Sequence, residues 1–524
     1  MMFLRRKKCF LLLTVLFLGT LTLSSEGVQP TAMSGINFAG PADWNTELPF
    51  VNVFYYSRPW ISQQKDKPWG KGPALDLDER GYVKSLAPNC HAESIVCCIE
   101  GGHYPAGRYH FLYDGEGEFT FSRNVKVVEG VKKPTEAGNA NYLALEVDNS
   151  KGAVFIQLRK VNPKNYVKNI RFIMPGKLAT FAKQPWNDAF LNRWKGVQVI
   201  RLMDLAHTNN SKIATWEERS RLDDASWSRK GIPPEVMCHL ANTLNAAPWF
   251  CIPHQADDDY VRKFAKLVKQ QIKPELKIYV EYSNEVWNGI FSQHKWAAQQ
   301  AAKRNLTPNA KEKTWEAAWA FTAVRSVEIF KIFEEVFGGT DRLVRVLPTQ
   351  AANPYVSKYI LNFQNAAKHA DALGVAPYMG FNIPANKAQA TVALGLEGIL
   401  NKVEKEVLPK SIKSMQTQKE IAQEHKLALV AYEAGQHLVG VGGGANNEQL
   451  TKLFHQANAH PRMGEFYKKY IAAWEKTGGK TLCFFSSTGK WSKWGSWGLL
   501  QYADSKISDT AKMEVVRAWF DQQK

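Results

Sequence analysis

Seven apolar runs of strand length, at 197–203, 249–253, 278–282, 343–347, 372–376, 427–431 and 481–485, recur through the C-terminal two thirds of the chain, with segments of helical periodicity between them. Few folds accept such an alternation. A strand that is apolar along its whole length, and not only at every second residue, is covered on both faces, as a parallel strand between helices is. The intervals are amphipathic. After the second run, Tyr260, Phe264, Val268 and Ile272 recur every four residues behind Asp257, Asp258 and Asp259, acids that favour a helix N-terminus. An eighth short run lies far upstream, around Ile36. Eight parallel strands with intervening helices predict a (β/α)8 TIM barrel in the α/β class, with an open doubly wound sheet as the alternative.

Between the run around Ile36 and that at 197–203 the pattern changes. Short alternating stretches at 93–99, 108–113, 118–121, 142–147 and 154–159 are separated by turn formers such as Asp114-Gly115-Glu116-Gly117 and Asp148-Asn149-Ser150. They predict an antiparallel β-sandwich inserted after the first barrel strand. The expected layout is a leader at 1–27, the first barrel strand and its loop at 28–65, the sandwich at 66–175, and the rest of the barrel at 176–524. The leader follows from Arg5, Arg6, Lys7 and Lys8 ahead of an apolar run at 9–23 and small residues Ser24, Ser25 and Gly27, the layout of a signal peptide. The run is short of the ~20 residues a bilayer span needs, so the chain is expected to be secreted or periplasmic with no membrane span after cleavage.

Composition excludes whole classes: 45% hydrophobic and 22% charged residues do not describe a disordered, collagen-like or multi-span membrane chain. The net charge of +18 favours anionic surroundings. Its lysines are dispersed over helix faces at 263–273 and 402–413, and no nucleic-acid reader motif is present, so no nucleic-acid partner is expected. Beyond the leader, Cys90, Cys97, Cys98, Cys238, Cys251 and Cys483 are expected as small buried hydrophobes with room for one bridge. Adjacent on an expected strand, Cys97 and Cys98 would point to opposite faces. Gly440-Val-Gly442-Gly-Gly-Ala445 fits a dinucleotide pattern but lacks the strand before and the acid after, and is expected as a mobile loop over the barrel mouth. No paired histidines stand at ligand spacing near His254 and Asp257, so neither metal nor cofactor is implied.

In a barrel of this kind catalytic side chains come from the C-terminal tips of the strands. The fourth strand ends Ile278-Tyr-Val-Glu-Tyr-Ser-Asn284-Glu285-Val-Trp287-Asn288, and the seventh ends Leu429-Val-Ala-Tyr-Glu433-Ala-Gly435-Gln-His437. Each sets one carboxylate beside aromatic residues at the end of an apolar strand, and tips four and seven face one another across a closed barrel. Two carboxylates in unlike environments are what cleavage of a glycosidic bond needs, one protonated and one ionised. Glu281 is expected in a salt bridge or polar layer. Trp491, Trp494 and Trp497, in a glycine-containing loop after the last strand, offer flat apolar faces to sugar rings, with Trp44, Trp60 and Trp287 as weaker candidates. His437, a lone histidine, is a further candidate for contact with substrate.

The Ser-Asn-Glu run at strand four and the lone Glu after strand seven resemble clan A of the retaining glycoside hydrolases, barrel enzymes that include family 5 cellulases and mannanases. The resemblance covers about two thirds of the chain. It implies that Glu285 is the general acid/base, that Asn284 binds the sugar 2-hydroxyl and that Glu433 is the nucleophile. His254, Tyr378 and Trp491 would orient and stack substrate, and Arg201 would steady the nucleophile. The inserted sandwich departs from the family 5 plan and leaves substrate and mode of attack open. The implied partner is a β-linked polysaccharide or oligosaccharide. Two other readings stay open: a non-catalytic carbohydrate-binding or cell-surface protein, and a lyase of acidic polysaccharide, which the positive charge favours.

Overall fold

Eight parallel strands close into a barrel in chain order: Met33–Asn37, Val199–Arg201, Ala247–Ile252, Ile278–Tyr282, Leu343–Pro348, Ala372–Val375, Ala428–Ala434 and Thr481–Phe484. They come from a computed structural model that describes residues 32–308 and 312–523; the expected leader lies outside them. The first strand closes the barrel against the eighth, Met33 opposite Thr481 and Ile36 opposite Phe484. The two approach closely: a Cβ on Gly35 would lie 2.3 Å from Cys483 Sγ.

The unbroken apolarity of the strands has two causes that alternate along each of them. Val199, Trp249, Cys251, Tyr279, Val346, Val430, Tyr432 and Cys483 fill the barrel interior. Ile36, Ile200, Phe250, Val280, Leu347, Leu373, Leu429 and Leu482 face the helix layer. The helix Asp258–Gln271 buries Tyr260, Phe264 and Val268, as its periodicity predicts, and Asp257 caps its N-terminus by accepting from the Tyr260 backbone N–H. Among the described residues no helix is long and apolar enough to cross a membrane.

The insertion is a sandwich of two four-stranded antiparallel sheets. One runs Ile61–Gln64, Cys90–Val96, Val154–Val161, Gly117–Phe121, and the other Lys168–Ile173, Gly107–Asp114, Asn141–Val147, Val125–Val127. Ala92, Ile156 and Leu158 of the first sheet share a core with Tyr109, Phe111, Leu145 and Phe172 of the second. One strand starts upstream of residue 66. The strand expected at 93–99 stops at Val96: Cys97 takes a φ of 50°, which turns the chain, so the two cysteines do not alternate across a sheet. All six described cysteines are free.

The sandwich stands against the loops that follow barrel strands one, two and eight. Ser94 Oγ donates to the Arg58 carbonyl at 2.6 Å, the Ala225 N–H donates to the Arg80 carbonyl at 2.9 Å and His103 stacks on Tyr502 at 3.6 Å. The glycines at 440–445 are not a mobile loop. Gln436–Val441 pairs in parallel with Met379–Pro384, and the turn after it packs so tightly that a Cβ on Gly444 would lie 2.2 Å from the Ile383 carbonyl oxygen. Close packing accounts for Gly440 and Gly444, and a φ of 53° for Gly442.

Candidate active site

Arg201 ends the second strand inside the barrel, fully buried, and all five of its N–H groups are used. Nε and Nη2 donate to the two oxygens of Glu281 at 3.0 and 3.1 Å. Nη1 donates to Glu433 Oε1 at 2.9 Å and Asn37 Oδ1 at 3.2 Å, and Nη2 also donates to Asn284 Oδ1 at 2.7 Å. The Tyr432 ring lies 4.9 Å from the guanidinium. Glu281 is the salt-bridge partner expected, and it further accepts from Trp249 Nε1 at 2.7 Å. A planar five-donor fork is what this cluster needs, and lysine could not supply it.

Glu433 reaches the mouth through a slip in pairing. Val430 and Tyr432 point inward, so strict alternation would turn Glu433 outward, but the register shifts between Ala431 and Ala434 and Ala434 resumes the outward set. Its Oε1 takes the Arg201 bond and its Oε2 accepts from Tyr378 Oη at 2.9 Å. Beyond strand four, Ser283 and Glu285 both take positive φ, 56° and 44°, a conformation that costs a side-chain-bearing residue about 1–3 kcal/mol and clusters at functional sites.

Glu285 has one short hydrogen bond, from Asn288 Nδ2 at 3.0 Å, and a long one from Tyr432 Oη at 3.5 Å. Burial, and after it the Glu433 charge, push its pKa up to about 8; Asn288 and Arg201 pull the other way without prevailing. Asn284, buried just ahead of Glu285, turns its amide nitrogen to Asn209 Oδ1 at 3.1 Å, and Gln293 holds Asn209 at 2.7 Å. The arrangement places a carboxyl that keeps its proton near neutrality beside a carboxylate held by a cation and a phenol.

The remaining candidates divide. Tyr378 packs edge-on against His437 at 5.1 Å, and His437 lies 5.4 Å from Trp497 and bonds Asn382 at 2.7 Å, so these rings wall the Glu433 side. Trp491 is no free platform: it is buried under its loop, donates to the Gly498 carbonyl at 3.0 Å and carries the Lys512 ammonium 5.0 Å from its ring. Trp494 is 65% exposed, beside Lys493. His254 makes no hydrogen bond to either glutamate. It lines a recess of about 510 Å³ with Trp296 and Gln300, and burial pushes its pKa down to about 4.

Several residues of the site escaped the sequence. Asp204, three residues past Arg201, is pushed up to about 7 by burial and then by the Glu433 charge; an acid just beyond an apolar run was its signal. Lys512 is fully buried and donates to the Ser496 carbonyl at 3.0 Å, an oxygen that Gln436 and Asn458 also reach at 2.7 and 2.9 Å. Three donors thus pin the loop that carries Trp497. Asn37 and Gln293 had no local signal. Among the described residues no cluster of three His, Cys, Asp or Glu has the spacing of a metal site.

No family model and no curated protein matches the chain. Among solved structures it is similar to a 4-O-α-L-rhamnosyl-β-D-glucuronidase from Fusarium oxysporum 12S, at 12% identity and a TM-score of 0.37 over 64% of this chain and 63% of that one, less than two thirds of its length. It is also similar to fungal β-1,4-galactanases, at 9% identity and 0.34 over 63% and 91%. An exo-β-agarase matches at 9% identity and 0.36 over 94% and 62%. Similarity at this level says nothing of what this chain does.

Proposed function

We propose that the chain is an exported retaining glycosidase acting on a β-linked polysaccharide or oligosaccharide. The observation that carries the reading is the unlike treatment of two neighbouring carboxyls: Glu285 is short of donors and holds its proton, while Glu433 is gripped by Arg201 and Tyr378. In the first step a Glu433 oxygen attacks the anomeric carbon as the bond to the leaving oxygen breaks, and Glu285 passes its proton to that oxygen. Glu285, now ionised, takes a proton from water; the water oxygen attacks the anomeric carbon, the ester to Glu433 breaks, and the sugar leaves with its original configuration. Tyr378 and Arg201 hold the nucleophile's two oxygens through both steps. Export rests on the basic and apolar leader pattern at 5–23.

The test is the anomer first formed. Proton NMR of early products from a β-linked oligosaccharide panel should show the β-anomer ahead of mutarotation. The α-anomer appearing first would overturn retention, and no hydrolysis across plant, algal and microbial glycans would overturn the reading itself.

A further inference from the structure

Away from the two glutamates, a cavity of about 170 Å³ opens where the sandwich meets the loops after barrel strands one and two. Its size is near that of an engineered core cavity of about 150 Å³ that takes up one benzene, room for one ring. Pro59, Leu77 and Ala225 supply apolar surface, and half of the residues that line it are charged.

Most of these charges are taken up by one another or by the backbone. Asp78 is saturated by the Arg80 and Tyr82 backbone N–H groups and by Tyr166 Oη. Asp224 accepts from the Arg221 N–H and pairs with Arg80, which also pairs with Asp223 and Glu79. Arg58 is held by Asp43 through two bonds. Glu218 and Asp224 are both close enough to Lys230 to feel its charge, and Glu218 is occupied by the N–H groups of Ala214 and Thr215. Two consecutive cations are left over: Arg229, exposed, and Lys230, half-buried, line the cavity with no carboxylate in ion-pair contact among the described residues.

We infer that this junction cavity binds one anionic saccharide unit, its carboxylate or sulfate held by Arg229 and Lys230 and its apolar face turned to Pro59 and Leu77, both half-buried. The saccharide half of the inference rests on the glycosidase reading; the anion half does not. A guanidinium and an ammonium lining one cavity give charge-assisted bonds to either anion, and the apolar part of the wall suits a ring's C–H face. The site would select acidic polymers by binding and would take no part in bond cleavage.

Isothermal titration of the full chain with a trigalacturonate, a sulfated galactan disaccharide and cellotriose, at two salt concentrations, tests the inference and separates the two anions. At least one anionic probe should bind, more weakly at higher salt, and Arg229→Ala/Lys230→Ala should weaken it about tenfold or more while cellotriose binding and turnover of small aryl β-glycosides stay as in the parent. The exchange Arg229→Lys/Lys230→Arg should restore binding. Equal anion affinity in the double alanine variant, or no anionic probe bound by the parent, overturns the inference. Anion binding with no turnover of any glycoside supports the cavity and sinks the glycosidase reading.

Discussion

The sandwich and the barrel mouth each bury a glutamate, and they surround it in opposite ways. Glu93, in the first sandwich sheet, is 4% exposed and accepts from Gln63, Trp69 and Gln157 at 3.2, 2.7 and 2.6 Å. Three neutral donors on neighbouring segments fill its lone pairs and tie the sheet together. Glu285 has one short bond and a like charge nearby. Burial alone therefore does not mark a carboxyl for chemistry. The number of donors aimed at it does, because a carboxyl starved of them is the one whose proton can move.

The same substitution at the two places should have unlike results. Glu285→Gln is expected to lower turnover about 10²–10⁴-fold with circular dichroism unchanged. Glu93→Gln should leave turnover within about twofold and lower unfolding free energy by about 1–3 kcal/mol, the cost of mismatched buried donors. Equal loss of turnover in both would break the comparison. Arg201→Met, which strands Glu281 without its counter-charge, should cost about 3–5 kcal/mol in denaturant titration, more than Glu93→Gln.

Next in size is a pH effect. The proton on Glu285 is the working one, so kcat/KM should fall about tenfold per unit once pH rises past the group's raised value near 8, and that limb should be missing in Glu285→Gln. The smallest effect concerns stability. A carboxyl whose folded pKa is raised favours the folded state fully only below its unfolded value, and that contribution is lost as pH climbs to about 8. Glu285→Gln, neutral throughout, should therefore melt a few degrees above the parent at pH 8 and equally with it at pH 4, by scanning calorimetry.

The barrel was legible because coverage on both faces writes itself as continuous apolarity, and Glu285 and Glu433 were legible because they interrupt it. What stayed hidden depends on partners far along the chain. Lys512 looks like any lysine of an amphipathic helix until a strand and two helices bring Gln436, Asn458 and Lys512 together on the Ser496 carbonyl. Trp491 and Trp497 stand in one glycine-containing loop, and only the fold decides that the first packs beneath it while the second meets His437. The glycines at 440–445 fit a loop pattern because a strand pair made from 379–384 and 436–441 has no local signature. Cys97 illustrates the same limit at a strand end, where one positive φ ends an apparently continuous run.

The pairing of Met33 with Thr481 sets a timetable for synthesis. The first strand leaves the ribosome early, yet the neighbour that completes its hydrogen bonding is translated about 450 residues later, roughly 20 to 90 s at ~5–20 residues per second. Throughout that wait one edge of the nascent strand is open, while the insertion that follows it is local enough in sequence to fold. A chaperone that shields residues 33–37 until residue 484 arrives would raise the yield of native protein, and adding it late, after translation, would not.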